Sequence, residues 1–489
     1  MAESHVETVV IVSIDTTRRD HLSVYGYPLP TTPHLEALAK DGVIFDQAIA
    51  VHTNTAPSHA SILTGLEPPQ HGSINNAVPI YPDVPTLAET LAERGFATAA
   101  FVSGQTLRAE SCGLDRGFSL YDDRFEGWER RAEATVDLAN RWLATQDNDR
   151  SLFLFVHLFD PHFLYSPPGQ FRDFGLGEGP PRAEPRSANL LRETTQRDTE
   201  TWRQDIVEWT RRYDGEIAYA DWAVGHLLQE LRRIERYSSA TIIVVSDHGE
   251  TLAERPRVFD HGGRVTEEQI RVPLIIKFPD RVLAGARIAD QVSQIDIVPT
   301  ILGRLHLPAP EASAGIDLHE LARNPDARQR PLFIMARREP KRLADLGFPV
   351  PGQRRWDGPE SMLAAVRLPP YKLVDYAFLM QQKRRRLRDL VHDPTERSFD
   401  DEPEVVSYLS GLLDQWWRRT RPDDASSGIN LDPESVEMLR ALGYLEATAE
   451  SDPQSEQSTD PPTVFESGFE DGIGASWSAS SSEGSEGKH

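Results

Sequence analysis

Five short runs of almost unbroken apolar residues, many of them β-branched, set what this chain can become. They span residues 8–14, 96–103, 151–158, 240–246 and 272–278. A strand with one wet face alternates polar and apolar residues; a run that stays apolar is dry on both faces, as in a parallel sheet covered by helices. Helical stretches lie between the runs. In residues 85–95, Thr86 and Glu89 have the spacing of a capping box, and Gly95 stands at the stop. Residues 129–145 suit an amphipathic helix with Ala134, Leu138 and Trp142 on one side. The alternation predicts an α/β fold, a large mostly parallel sheet sandwiched by helices. Residues 6–310 form the predicted catalytic unit. Residues 163–212, rich in Pro, Gly, Arg and Asp, read as an insertion within it that forms a lid or rim. Residues 311–445, with short β runs and a helix near 403–418, read as a smaller α+β subdomain.

The tail from residue 446 holds ten acidic residues against one lysine, amid Ser, Gly and Pro, the composition of a disordered segment. The 39 % of hydrophobic residues supplies a sizeable core for the rest. A formal charge of −24 speaks against a nucleic-acid binder. Cys112 is the single cysteine, so no intramolecular disulfide forms. No apolar run reaches the roughly 18–20 residues of a membrane span. The first residues lack the basic-then-apolar order of a signal peptide, so the expected location is cytoplasmic. Nothing in the sequence fixes the oligomeric state.

Acidic and imidazole side chains cluster just after the apolar runs, where a parallel sheet places its site at the strand C-termini. They are Asp15, then His157 and Asp160, then Asp247 and His248, with His261 a little further on. Two carboxylates and an imidazole suit a divalent cation of borderline hardness such as Mn²⁺ or Zn²⁺, and are less typical of Ca²⁺. The plainer reading is a buried Asp–His pair that ties two loops together. Thr55 opens the segment Thr55-Ala56-Pro57-Ser58-His59, which runs on to Gly65. Pro57 suits a first helical turn, which puts Thr55 just before a helix N-terminus, a place that favours anions. A hydroxyl there, beside a metal, loses its proton readily and becomes a nucleophile; without the metal it is only a cap.

These motifs, in this order, resemble the sulfatases of the alkaline-phosphatase-like superfamily. The resemblance rests on Asp15 after the leading strand, the Thr55–Gly65 segment, Pro69-Gln70-His71-Gly72 with Asn76, His157-Leu158-Phe159-Asp160-Pro161-His162, Tyr213-Asp214-Gly215-Glu216, Asp247-His248-Gly249-Glu250, and His261-Gly262. It covers roughly residues 8–305 and, more loosely, the part beyond. It implies a metal-dependent ester hydrolase. Asp15, Asp247 and His248 would bind one divalent ion (Mn, Zn or Ca), and Thr55 would complete its shell. Asn76 would hold a non-bridging oxygen of a small anionic ester. His157 or His162, with His261, would act as general acid or charge stabiliser. His59 falls where relatives often carry Arg.

Two departures matter. Formylglycine sulfatases need Cys or Ser at the Thr55 position, so no formylglycine is expected here. Relatives also commonly carry two adjacent Asp residues where this chain has Asp15-Thr16. The remaining set looks more like the phosphonate and phosphodiester hydrolases of the superfamily. Asp221 and His226 only mimic part of a second metal set. A formylglycine hydrate expels sulfate by collapsing to an aldehyde; threonine cannot, whereas a phosphorylated Thr55 opens by in-line attack of water. The chemistry therefore favours phosphate or phosphonate esters. True sulfate ester hydrolysis, phospho-group transfer and a non-catalytic relative remain alternatives. Arg18 and Arg19 would add positive potential or merely carry surface charge. Basic residues from Arg337 to Arg355 would form an anion-binding rim or an ordinary loop.

Overall fold

The first apolar run becomes the centre of the molecule. In the computed structural model, which describes residues 6–175, 185–187, 191, 199–255, 257–324, 329–337, 362–376 and 385–420, β1 (Thr8–Ile14) is buried at all seven positions. It lies between β5 (Leu152–Leu158) and β6 (Ala240–Val245), parallel to both. β3 (Ala97–Phe101) and β4 (Leu120–Asp122) extend the parallel part beyond β5. On the other side the sheet changes direction. β8 (Leu274–Lys277) runs antiparallel to β6, and β2 (Val43–Ile49) runs antiparallel to β8 and to the two-residue β7 (Arg271–Val272). β9 (Ala286–Ser293) closes this nine-stranded sheet, parallel to β2. The run 272–278 is thus a dry strand as expected, but split at Pro273, which has no N–H to give a ladder, and opposite in direction to its neighbour β6.

Alternate residues of β1 feed two cores. Val10, Val12 and Ile14 meet α1 (Pro33–Ala39), α4 (Ala132–Ala144) and α5 (Glu200–Arg233) on one face. Val9 and Ile11 meet α2 (Thr55–Thr64), α3 (Leu87–Ala92) and α6 (Ile297–Arg304) on the other. The Thr86–Glu89 capping box opens α3 as its sequence predicts. In α4 the inward face is Ala132, Thr135, Val136, Ala139 and Leu143, not the expected Ala134, Leu138 and Trp142. Leu138 and Trp142 only flank it, half-buried, and Ala134 is exposed. Two overlapping apolar stripes compete on that helix, and the smaller side chains win the close approach to β5.

The end of the expected insertion is helical. Residues 200–212 are the first turns of the 34-residue α5, which buries Tyr213, Ile217, Val224, Leu228 and Leu231 further along. Their Arg, Asp and Glu content hides the helical period. Asp221 on α5 is no metal ligand: its carboxylate accepts the backbone N–H groups of His34 and Leu35, both at 2.9 Å, and so caps α1.

A second, antiparallel sheet follows, β10 (Leu332–Arg337), β11 (Met362–Leu368), β12 (Tyr371–Tyr376) and β13 (Arg385–Asp389), with α7 (Pro403–Thr420) packed on it. It is joined to the first by the Met335 N–H, which donates to the Val51 carbonyl at 2.8 Å. Lys372, wholly buried, donates to Glu267 Oε1 at 3.0 Å and lies 2.6 Å from Glu396. Most of the basic stretch after Arg337 and the acidic tail from 446 lie outside the described residues.

Candidate active site

The register of β1 with its neighbours sets the site. Ser13 is level with His157 on β5 and with Val245 on β6, so Asp15, His157 and Asp247 leave the sheet at one height. The turn after β1 is pinned hard. The Thr16 N–H donates to Asp247 Oδ1 at 3.1 Å, and the Tyr213 hydroxyl donates to the Thr16 carbonyl at 2.8 Å. Thr16 itself is held at φ +48°, a left-handed conformation that costs a threonine about 1–3 kcal/mol. Gln294 steadies the other loop. Its amide donates to the carbonyls of Ser246 and Asp247, and its oxygen accepts from the Val51 N–H.

Asp15, Asp247 and His248 present one ligand atom each within 4.8 Å of one another, all buried. Their hydrogen bonds decide what such a cluster wants. The Ser103 N–H donates to His157 Nδ1, so His157 Nε2–H donates to Asp15 Oδ2 at 3.1 Å. Asp15 Oδ1 is left buried with no partner. His248 Nδ1 faces the Gly249 carbonyl at 3.0 Å and must donate, which leaves a lone pair on Nε2. That lone pair lies 3.3 Å from Asp247 Oδ2, which also has no hydrogen bond. Three acceptors thus face one another in a dry interior. Burial and the nearby Asp247 push Asp15 well above the usual carboxylate range. Asp247 is held low against its burial by His248, His59 and His157. A divalent cation resolves this conflict, so the residues fit one.

Thr55 completes the cluster. It is the first residue of α2, with Asn54 as the N-cap, one position further into the helix than its sequence suggests. Its Oγ1 is fully buried, 3.4 Å from His248 Nε2. Asn76 stands over the same helix start. Its Oδ1 accepts from the Ala56 N–H at 2.9 Å, while Nδ2 is buried with no partner.

The histidines divide into two groups. His59 and His157 lie beneath the cluster, wholly buried. His59 Nδ1 donates to the Thr55 carbonyl at 2.8 Å, and Nε2 accepts from Ser13 at 2.7 Å. Both ring nitrogens are used, so His59 positions Thr55. His157 likewise orients Asp15. Burial lowers both to about 4, which keeps them neutral. His162 and His261 stand together on the other side. Their rings are 5.0 Å apart, and His261 lies 4.5 Å from His248. Burial pulls His261 down, but Glu250, with Oε2 3.4 Å from Nδ1, and Asp15 lift it to about 8. Burial and the neighbouring His261 hold His162 far below its ordinary value. A neutral imidazole thus sits beside a protonated one.

Several expectations for charged neighbours change. Arg18 is engaged by Asp20 at 2.7 Å, Glu254 at 2.6 Å and the Glu250 carbonyl at 3.2 Å, so it adds little potential at the cluster. Asp160 pairs with Arg131 and accepts from the Ala132 N–H at the start of α4. Sequence reasoning missed Gln294 and Ser13, and held Glu250 and Tyr213 only as members of motifs with no role assigned; their partners reveal what they do.

Strand order and the position of the cluster at the strand ends fit the alkaline-phosphatase-like superfamily, to which the sulfatases belong. The sulfatase family model matches residues 7–307, and the chain belongs to the sulfatase family. An ulvan-active sulfatase of Formosa agariphila is 29 % identical over 350 residues. That match covers 65 % of this chain and 65 % of the relative's own length. Among solved structures, a phosphonate monoester hydrolase of Agrobacterium radiobacter matches with a TM-score of 0.67 at 21 % identity, over 84 % of this chain and 95 % of that one. A phosphonate monoester hydrolase from Silicibacter pomeroyi gives 0.62 at 21 %, over 88 % and 98 %. At these identities the structural likeness speaks for the fold. No helix among the described residues is long and apolar enough to cross a membrane.

Proposed function

We propose that the chain hydrolyses phosphate or phosphonate esters through Thr55, with one divalent ion held by Asp15, Asp247, His248 and Thr55. The observation that carries this is the Thr55 hydroxyl beside His248 Nε2 and two buried carboxylate oxygens, Asp15 Oδ1 and Asp247 Oδ2, that lack a donor. The ion would lower the hydroxyl pKa and offset charge on the ester group. Thr55 Oγ1, its proton released to solvent, attacks phosphorus and forms a phosphothreonine as the ester oxygen leaves. Asn76 Nδ2–H, the unpartnered donor, holds a non-bridging oxygen. His261, protonated at neutral pH, donates a proton to the leaving oxygen, and His162 steadies the charge beside it. Water then opens the phosphothreonine in line, and His261 recovers its proton. His59 and His157 keep Thr55 and Asp15 in place.

Sulfate esters are the second reading, favoured by the sulfatase relatives. It meets the chemical obstacle that a sulfated threonine has no aldehyde to collapse to. A cytoplasmic setting belongs to the same proposal, and the single buried cysteine supports it. The test is a panel of p-nitrophenyl phosphate, bis-p-nitrophenyl phosphate, p-nitrophenyl phenylphosphonate and p-nitrophenyl sulfate with Mn²⁺, Zn²⁺ or Ca²⁺. We expect phosphorus esters to turn over fastest and Thr55→Ala to abolish turnover. Sulfate turnover that outpaces every phosphorus ester and is lost in Thr55→Ala would overturn the preference for phosphorus.

A further inference from the structure

A second cavity, of about 260 Å³, lies between the turn after β1, the start of β7 and the loop that follows β13. Arg18, Arg19, Arg255, Arg271 and Arg397 line it together with four carboxylates. The carboxylates are already matched. Asp20 and Glu254 hold Arg18 at 2.7 and 2.6 Å, and Glu268 holds Arg255 at 2.7 Å. Glu267 lies 3.0 Å from both Arg367 and Lys372, and only 3.9 Å from Arg271. Arg19, Arg271 and Arg397 are therefore in excess. Asp46, the remaining acid near them, is 2.6 Å from Arg287 and 3.5 Å from Arg19, so it is already shared. No ion pair to Arg397 occurs among the described residues.

The Nε–H groups of Arg19 and Arg271 are both buried without an acceptor. A desolvated guanidinium donor left unmade is costly, and the cost is removed by a ligand oxygen. Burial and the nearness of Arg19 and Arg367 also pull Arg271 below its ordinary value, against the opposing pull of Glu267 and Asp20. This happens in a chain whose formal charge is −24.

We infer that this cavity binds a small tetrahedral oxyanion, phosphate or sulfate, between Arg19, Arg271 and Arg397. A slight turn of these two half-buried guanidinium groups presents their Nε–Nη edges to it, and the volume leaves room for several waters, at about 30 Å³ each. Asp20, Glu254 and Glu268 around the remaining wall repel a long polyanion, so a free inorganic ion is the fitting occupant. The site is distinct from the Thr55 cluster and stands whether or not the phosphorus reading holds. Arg18 lines it and donates to the Glu250 carbonyl, so the site borders the loop that carries Asp247.

The test uses the full metal-loaded chain at low ionic strength. Calorimetric titration with inorganic phosphate is run on wild type, Arg271→Gln and Arg397→Ala, and crystals soaked in tungstate are examined by anomalous scattering. The expected result is a tungsten peak within hydrogen-bond reach of Arg19 and Arg271. Phosphate binding there should weaken roughly tenfold in Arg271→Gln and severalfold in Arg397→Ala. Inhibition of ester hydrolysis by phosphate, which reads the Thr55 cluster, should stay unchanged in both. Arg397 lies at the exposed lip, so its variant keeps the test valid should Arg271→Gln fail to fold. Absence of the tungsten peak, or phosphate affinity unchanged in Arg397→Ala and in a folded Arg271→Gln, would overturn the inference. Tight binding of glycerol phosphate with none of inorganic phosphate would overturn the choice of occupant.

Discussion

Asp15→Asn should change the sign of its effect on stability when metal is added. Without metal, the carboxylates of Asp15 and Asp247 approach within 4.8 Å in a dry interior. At an effective dielectric constant of 20, two such charges repel by about 3.5 kcal/mol. Part of this is relieved because burial and Asp247 push Asp15 up, so it takes a proton. Asparagine keeps an oxygen for the His157 Nε2–H and removes the charge. The metal-free variant should therefore be about 1–2 kcal/mol more stable than metal-free wild type. The advantage should grow with pH, because an acid with a raised folded pKa loses stability as pH climbs toward that value. With metal the order reverses. A ligand at a hundred times its Kd stabilises by about 2.7 kcal/mol, and most of that is lost with the charged ligand atom. The assay is urea unfolding followed by circular dichroism, in EDTA and in saturating Mn²⁺ or Zn²⁺. Equal destabilisation of Asp15→Asn under both conditions would refute the reasoning, for Asp15 would then be a structural partner of His157 and nothing more.

Thr55→Ala should reduce kcat by at least about a thousandfold while calorimetry still detects metal, whereas Thr55→Ser should keep measurable turnover and form a phosphorylated enzyme visible by intact mass. Asn76→Asp keeps the bond to the Ala56 N–H but loses the Nδ2 donor and adds repulsion, so kcat should fall about a hundredfold or more with little change in melting temperature. Glu216, buried beside Asp160 and Arg131, is pushed up to about 9, chiefly by burial and then by Asp160. Its folded state holds the proton, so wild-type stability falls as pH rises from about 5 toward 9. Glu216→Gln should flatten that slope and raise the melting temperature at pH 8.5 relative to pH 5.5, as differential scanning fluorimetry would show.

The parallel half of the sheet was legible because β1, β5 and β6 are dry on both faces, a pattern few other structures tolerate. The direction of β8 was not, since an apolar run looks the same read either way. The gathering of Asp15, Asp247 and His248 beside Thr55 was legible because these residues sit at strand ends and in motifs. The roles of His59 and His157 were not. An imidazole that touches substrate and one that holds Thr55 or Asp15 from below are the same letter, and only the partners of both ring nitrogens separate them. The start of α5 was hidden because a helix whose first turns are charged on most sides carries no apolar stripe to read.

The place of β1 at the centre has a consequence for how the protein is made. β1 ends at residue 14, but its second partner is complete only at residue 245. At about 5–20 residues per second, roughly 12–46 s pass between the emergence of the two. For that time a strand dry on both faces has an unpaired edge outside the ribosome, open to pairing with another nascent chain. Synthesis from a crowded messenger should therefore lower the soluble yield of this protein more than slow synthesis does, and a holdase that covers the first fifteen residues should restore it.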